Sequence, residues 1–115
     1  MKYMLMFMHP PTAEGAEPVP DCDYEEWVVF DKAMKEAGIW VSGYPLQELS
    51  TGTTVRVGAD GGRTVTDGPF AETREVLGGY DVIDVPNLDV ALEWAARSPG
   101  ARYGGWVQVR PIAEF

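Results

Sequence analysis

The first hydrophobic segment of the chain, residues 3–8 with the sequence YMLMFM, is apolar at every position. A strand with one face in water would alternate apolar and polar residues, so this segment predicts a strand that is covered on both faces. A chain of 115 residues is near the usual size of one domain, and we expect a single domain over residues 1–115.

The remaining strands are predicted from short apolar or alternating runs. Residues 39–44 and 80–85 read as two further main strands, and residues 106–110 alternate as a last one. Thr53–Val57 and Arg63–Asp67 also alternate and flank the turn sequence GADGG, which predicts a β-hairpin.

Two segments have the apolar spacing of amphipathic helices. The first begins near Asp23 and ends at Gly38, and its stripe recurs at steps of three and four. The second is capped by Asn87 and ends before Pro99. The predicted buried stripes are Trp27, Phe30, Met34 and Ala37 in the first helix, and Leu88, Ala91, Leu92 and Ala95 in the second.

This order of elements predicts an α+β fold. Two β-α-β halves with an inserted hairpin fit a ferredoxin-like β-α-β-β-α-β sandwich, in which both helices cover one face of an antiparallel sheet. The other face then has no third layer, although the first strand is apolar on both sides. We therefore expect a homodimer through that sheet face.

Charge and cysteine content limit the partners and the compartment. The formal net charge of −9 argues against binding to nucleic acid or to an anionic membrane surface. The single Cys22 cannot form an internal disulfide, which predicts a reducing, cytoplasmic location. One histidine and one cysteine cannot supply the usual ligands of a metal, and no segment indicates a heme or flavin site, so we expect no cofactor.

Residues 65–75, VTDGPFAETRE, resemble the DGPFAETKE signature of the DGPF subgroup of the YCII-related family. MKYMLMF at the start, LGGYDVIDV after the signature and ALEWAARSPGARYGGWVQVRPI at the end resemble the same family. The resemblance implies a ferredoxin-like dimeric α+β barrel and an association with sigma factors. In the wider YCII group one enzyme removes HCl from a chlorinated muconolactone, and a histidine on the first helix, paired with an aspartate, is the proposed catalytic dyad. The first helix predicted here contains no histidine.

Asp67 and His9 are the candidate acid–base residues. Asp67 begins the Asp-Gly-Pro-Phe sequence at a strand end, where a carboxylate either accepts a backbone hydrogen bond in a turn or acts as a general base. His9 follows the first strand and is the one side chain whose ordinary pKa lies near neutrality. It serves either as a polar end to that strand or as a catalyst.

Four further residues are candidates for ligand binding. Arg74 could present a guanidinium fork to a substrate carboxylate, or could form a surface ion pair with Glu72. Phe70 and Tyr80 either stack on a ligand or belong to the core and the subunit interface.

Two functions remain open at this stage. The first is a small-molecule-binding or regulatory domain without catalysis, since the set of catalytic groups is incomplete. The second is an enzyme that isomerises a small polar or carboxylated metabolite, or eliminates a group from it, with Asp67 as the base.

Overall fold

The structure, a computed structural model, describes residues 1–11, 24–68 and 75–114. It contains six strands and two α-helices in these ranges, together with two short 3₁₀ turns. In chain order they are β1 (Lys2–His9), α1 (Tyr24–Glu36), β2 (Trp40–Pro45), β3 (Thr53–Val57), β4 (Arg63–Asp67), β5 (Val76–Asp84), α2 (Leu88–Arg97) and β6 (Trp106–Pro111).

Four strands form one antiparallel sheet in the order β2-β5-β1-β6, and β3 and β4 form a separate two-stranded sheet. An antiparallel sheet with two helices is compatible with an α+β fold. The hairpin strands have the predicted bounds. β5 is longer than predicted, because Gly78 and Gly79 lie inside the strand.

Gly79 allows β2 to lie close to β5. A Cβ atom at this position would be 3.1 Å from both Pro45 Cα and Tyr44 O. Gly78 is the extra residue where the register of β5 shifts against β1 between Phe7 and Met8.

Both helices pack against one face of the four-stranded sheet. Alternate residues of β1, Tyr3 and Leu5, are buried there with Phe30 and Met34 of α1 and with Ala91 of α2, among others. Aromatic rings extend this core: Phe7 lies edge-on to Trp27 with ring centroids 5.0 Å apart. The first helix therefore buries Phe30 and Met34 of the predicted stripe and packs Trp27 against the core, whereas Ala37 lies beyond the end of the helix and is exposed.

The second helix uses its predicted stripe only in part. Ala91 and Ala95 are buried, but Leu88 and Leu92 are each 46 % exposed. Val90 and Trp94 pack against the core instead. The helix is thus rotated so that its small alanines lie against the sheet, which leaves the leucines at its outer side.

The sharp ends of the helices agree with the sequence signals. The Asn87 side chain accepts a hydrogen bond from Val90 N–H at 3.1 Å. Gly38 has φ of 72°, and the next N–H, that of Ile39, donates to Met34 O at 3.2 Å, so α1 ends in a Schellman motif. The predicted start at Asp23 lies outside the described residues. In the described ranges, no helix has the length and hydropathy needed to span a bilayer.

Candidate functional site

Three of the six predicted site residues, His9, Asp67 and Tyr80, lie in the described part of the chain. Phe70, Glu72 and Arg74 lie outside it, as does Cys22. In the described ranges, no hydrogen bond or ring contact joins His9, Asp67 and Tyr80 to one another.

His9 is the last residue of β1, and its side chain is exposed. Its Nδ1 lies 2.8 Å from the carbonyl oxygen of Pro10. Since a carbonyl oxygen only accepts, this contact assigns the proton of the neutral ring to Nδ1 and leaves Nε2 with a free lone pair. Gly78 leaves room beside the ring, because a Cβ there would be 3.5 Å from Nε2. The geometry suits a proton acceptor that faces solvent.

Asp67 is the last residue of β4, exposed and paired with Thr53. The next residue, Gly68, is held in place by its backbone, because its N–H donates to Gly52 O at 2.7 Å. The Thr54 hydroxyl donates to Gly68 O at 3.2 Å. The amide of Phe70, which the turn-forming role requires, lies outside the described residues, so both roles of Asp67 stay predictions.

Tyr80 lies on the sheet face opposite the helices. Directly paired residues share a face, and Tyr80 is paired with Met6 on β1 and with Tyr44 on β2. The two tyrosine rings are in edge contact, with centroids 6.4 Å apart. Met6 is also paired with Gln108 of β6, so this row crosses all four strands.

The rows of paired residues on either side of this one lie on the same face of the sheet. We call this face the open sheet face, because no described helix packs against it. It comprises Met4, Met6, Met8, Tyr44, Tyr80, Val82 and Trp106, with the polar residues Ser42, Gln108 and Arg110. Tyr44 is 67 % exposed and Trp106 is 36 % exposed.

A carboxyl group that the sequence analysis did not single out, that of Asp81, lies on the other face of the sheet. Asp81 is paired with Gly43 and with the fully buried Leu5. The indole N–H of Trp40 donates to its Oδ1 at 3.1 Å. Gly43 leaves room for this group, because a Cβ there would be 2.1 Å from the same oxygen and 2.6 Å from the backbone oxygen of Tyr80.

Two charged residues of α1, Asp31 and Lys35, lie near Trp40, the residue that donates to this carboxyl group. Lys35 Nζ lies 4.7 Å from the centroid of the Trp40 ring and 2.8 Å from Asp31 Oδ2. Burial raises the pKa of Asp81 to about 6, although the hydrogen bond from Trp40 lowers this pKa. The negative charge of Asp31 raises the pKa further, and the positive charge of Lys35 lowers it. A carboxyl group with such a pKa can exchange a proton near neutral pH.

The alternation of β5 contained the signal for Asp81. In YDVIDV, Asp81 has the same parity as the core residues Ile83 and Val85, so a strand with Ile83 inward also turns Asp81 inward. A carboxylate at a core position is the kind of exception that marks a site or a strained contact.

A shallow groove of about 510 Å³ lies on the outer side of the helices. Its walls are Glu25, Glu26, Val29, Phe30, Ala33, Arg97, Pro99 and Arg102. The Tyr103 hydroxyl lies 3.0 Å from both carboxylate oxygens of Glu26, and Arg97 stacks 4.2 Å from the Trp94 ring centroid. The walls of this groove include none of His9, Asp67 and Tyr80.

Within the described ranges, no group of three or more histidine, cysteine, aspartate or glutamate residues could hold a metal ion.

Comparison with known proteins gives one family and one curated relative. An uncharacterized protein of Rhizobium meliloti (strain 1021) is 46 % identical over 52 residues, which are 44 % of this chain and 42 % of that protein. The chain thus spans about two fifths of the length of this relative. The YCII-related domain matches residues 1–115, and the chain therefore belongs to the YCII-related family.

Proposed function

We propose that this chain is a small-molecule-binding domain whose ligand lies on the open sheet face, where a second copy of the chain closes the site. The observation that carries the proposal is the row Tyr44, Tyr80, Met6 and Gln108, which combines apolar surface with hydroxyl and amide groups on one accessible face. Ligand sites commonly have this composition, an apolar lining with a few polar groups that orient the ligand.

The apolar content of that face supports a second copy. On this face Tyr44 and Trp106 are exposed and Met4, Met6 and Tyr80 are partly exposed, whereas Met8 and Val82 are buried. Neighbouring exposed apolar residues of this kind are typical of a contact between proteins. The strand order β2-β5-β1-β6, with both helices on the opposite face, supports a ferredoxin-like sandwich that pairs sheet to sheet as a dimeric α+β barrel. The VTDGPFAETRE sequence supports the DGPF subgroup.

The polar groups on the face favour a small carboxylated ligand. Arg110 lies in the row next to Gln108 and has the fork geometry that suits a carboxylate. The hydroxyl groups of Tyr44 and Tyr80 and the amide of Gln108 can donate to further oxygens.

The alternative is an enzyme that uses Asp67 as base with help from His9, acting in isomerisation or elimination. The observation that favours it is the 2.8 Å contact between His9 Nδ1 and Pro10 O, since a neutral ring that donates from Nδ1 has Nε2 as its proton acceptor. An Asp67→Asn variant tests it: loss of activity on a bound carboxylate, with binding and Tm retained, supports catalysis. Retention of activity, binding and Tm would contradict catalysis.

A regulatory role beside a sigma factor is the third proposal, and low-salt pull-down of that partner tests it.

Ligand binding is tested by a thermal-shift screen with small mono- and dicarboxylic acids. We expect a subset to raise Tm of the wild-type chain, and Tyr80→Ala to abolish the shift. Tyr24→Ala is the matched control, because Tyr24 is 79 % exposed on α1, away from the open sheet face. Equal shifts in both variants would place the ligand elsewhere and contradict the proposal.

The dimer is tested separately by sedimentation equilibrium at micromolar protein. We expect twice the chain mass of 12.6 kDa, and we expect Met6→Asp to weaken the dimer. A folded wild-type monomer would remove the closing copy from the proposal.

A further inference from the structure

The hairpin β3–β4 exposes a small apolar surface of its own. Val55, Val57 and Val65 are 57 %, 68 % and 57 % exposed, and they lie on one face, because Val55 and Val65 are directly paired and Val57 follows Val55 by two residues. We call these three residues the valine face. The same face of the hairpin also carries Thr53, Arg63 and Asp67, and the opposite face carries Thr54, Arg56, Thr64 and Thr66.

The hairpin forms its own sheet rather than extending the main one. The Cα radius of gyration is 16.4 Å, against roughly 13 Å for a compact chain of this length. The molecule is also flat, with extents of 47 × 43 × 18 Å. Because an isolated two-stranded hairpin is only marginally stable in water, a hairpin of this kind is expected to pack against something.

Charge favours a second copy of this chain as the surface that it packs against. The chain as a whole carries −9, and two copies repel each other wherever their acidic residues meet. The hairpin is different: Arg56 and Arg63 balance Asp60 and Asp67. The rim of the open sheet face, with Lys2, Arg110 and Asp84, is not acidic either. Contact through these two surfaces keeps the acidic residues of the two copies from meeting at short range, and the net charge of each copy then acts only at long range.

Area favours the same occupant. A standard stable interface buries about 800 Å² of accessible surface on each partner. The valine face adds three exposed apolar side chains, those of Val55, Val57 and Val65, to what the open sheet face can bury against a second copy.

We propose that the hairpin β3–β4 is a dimer arm, whose valine face packs against the second copy of the chain. The proposal rests on the sheet-to-sheet dimer proposed above. It adds that the dimer is held by the hairpin as well as by the open sheet face.

The test compares two substitutions that are adjacent in sequence and lie on opposite faces of the hairpin. Val65→Asp places a carboxylate in the valine face, whereas Thr64→Asp places the same charge on the other face. We expect Val65→Asp to raise the dimer dissociation constant at least tenfold in sedimentation equilibrium, and Thr64→Asp to change it less than threefold. In the wild type, hydrogen exchange at the hairpin amides should slow as protein concentration rises through the dissociation constant.

The outcomes separate the arm from the dimer. If Met6→Asp weakens the dimer and Val65→Asp does not, the sheet-to-sheet dimer stands and the arm is wrong. A monomeric wild type overturns both. Should Val65→Asp fail to fold, the hydrogen-exchange measurement decides, because exchange at the hairpin that does not depend on concentration contradicts the arm.

Discussion

Asp81 carries a carboxyl group in a partly buried position, although a charged carboxylate is more stable in water. Burial raises its pKa from 3.8 to about 6, so the folded state binds this proton more tightly than the unfolded state does. Protonation of Asp81 therefore favours folding. This stabilisation is complete below about pH 4 and is lost as the pH rises through about 6.

The first prediction concerns Asp81→Asn, which keeps the shape of the side chain and removes the charge. Relative to the wild type, the free energy of unfolding of this variant should increase between pH 4 and pH 7, by about 1 to 2 kcal/mol once partial exposure is allowed for. Urea denaturation across this range measures it. The indole N–H resonance of Trp40 should also titrate with a midpoint near pH 6 in the wild type and not in the variant.

The matched control is Asp89→Asn, on the exposed first turn of α2. It should not reproduce the pH-dependent difference. If the difference between Asp81→Asn and wild type is constant from pH 4 to pH 7, the burial that we assign to this carboxyl group is wrong.

The second prediction concerns Gly43, which faces Asp81 across the pair β2–β5. A Cβ at this position would be 2.1 Å from Asp81 Oδ1 and 2.6 Å from the Tyr80 carbonyl oxygen. Gly43→Ala should lower the free energy of unfolding by about 2 to 3 kcal/mol, because the backbone oxygen cannot move aside as a side chain can. Asp81→Ala in the same chain should restore part of the loss, and a double-mutant cycle in urea measures the coupling. Additive effects would contradict the contact.

At the scale of the elements, the N-terminus of α2 depends on one side chain. Asn87 Oδ1 accepts from Val90 N–H, one of the donors that a helix leaves unpaired at its start. Asn87→Ala should lower the free energy of unfolding by about 1 kcal/mol, and Asn87→Asp should lower it far less, because aspartate keeps the acceptor. Thermal unfolding of the three chains measures the order. Equal Tm values for the alanine and aspartate variants would show that the cap contributes little.

The elements were predictable because their signals are local. The hairpin followed from two alternating runs around GADGG, and the helix ends followed from Gly38 and Asn87. The rotation of α2 was not predictable, because an apolar stripe does not show which of its residues pack against the sheet. Alanines allow the closest approach, and Trp94 fills the space beside Phe30, with ring centroids 6.4 Å apart.

The candidate site was less predictable, because it depends on which strands become neighbours. Tyr80 and Tyr44 are far apart in sequence and meet only because β5 pairs with β2. The order β2-β5-β1-β6 also sets Met6 and Gln108 in the same row. Asp81 could have been found from parity alone, but only after Ile83 was known to face the helices.

At the scale of the whole molecule, the distribution of charge makes a prediction about assembly. Both helices carry more acidic than basic residues, whereas the open sheet face and the hairpin do not. If two copies meet through those balanced surfaces, apolar contact holds them together and the net charge of −9 on each copy opposes them at long range. Added sodium chloride screens that repulsion, since the Debye length falls from about 30 Å at 0.01 M to about 10 Å at 0.1 M.

The dimer dissociation constant should therefore fall, by about threefold to tenfold, when sodium chloride is raised from 0.01 M to 0.3 M. Sedimentation equilibrium at pH 7.5 measures it, and Glu25→Gln with Glu36→Gln, on the outer part of α1, should reduce the salt dependence by lowering the charge. An interface held by ion pairs responds in the opposite direction, because salt weakens the attraction between the copies. A dissociation constant that rises with salt would mean that ion pairs between the copies outweigh the net repulsion, and this would contradict a dimer held by apolar contact at the open sheet face and the valine face.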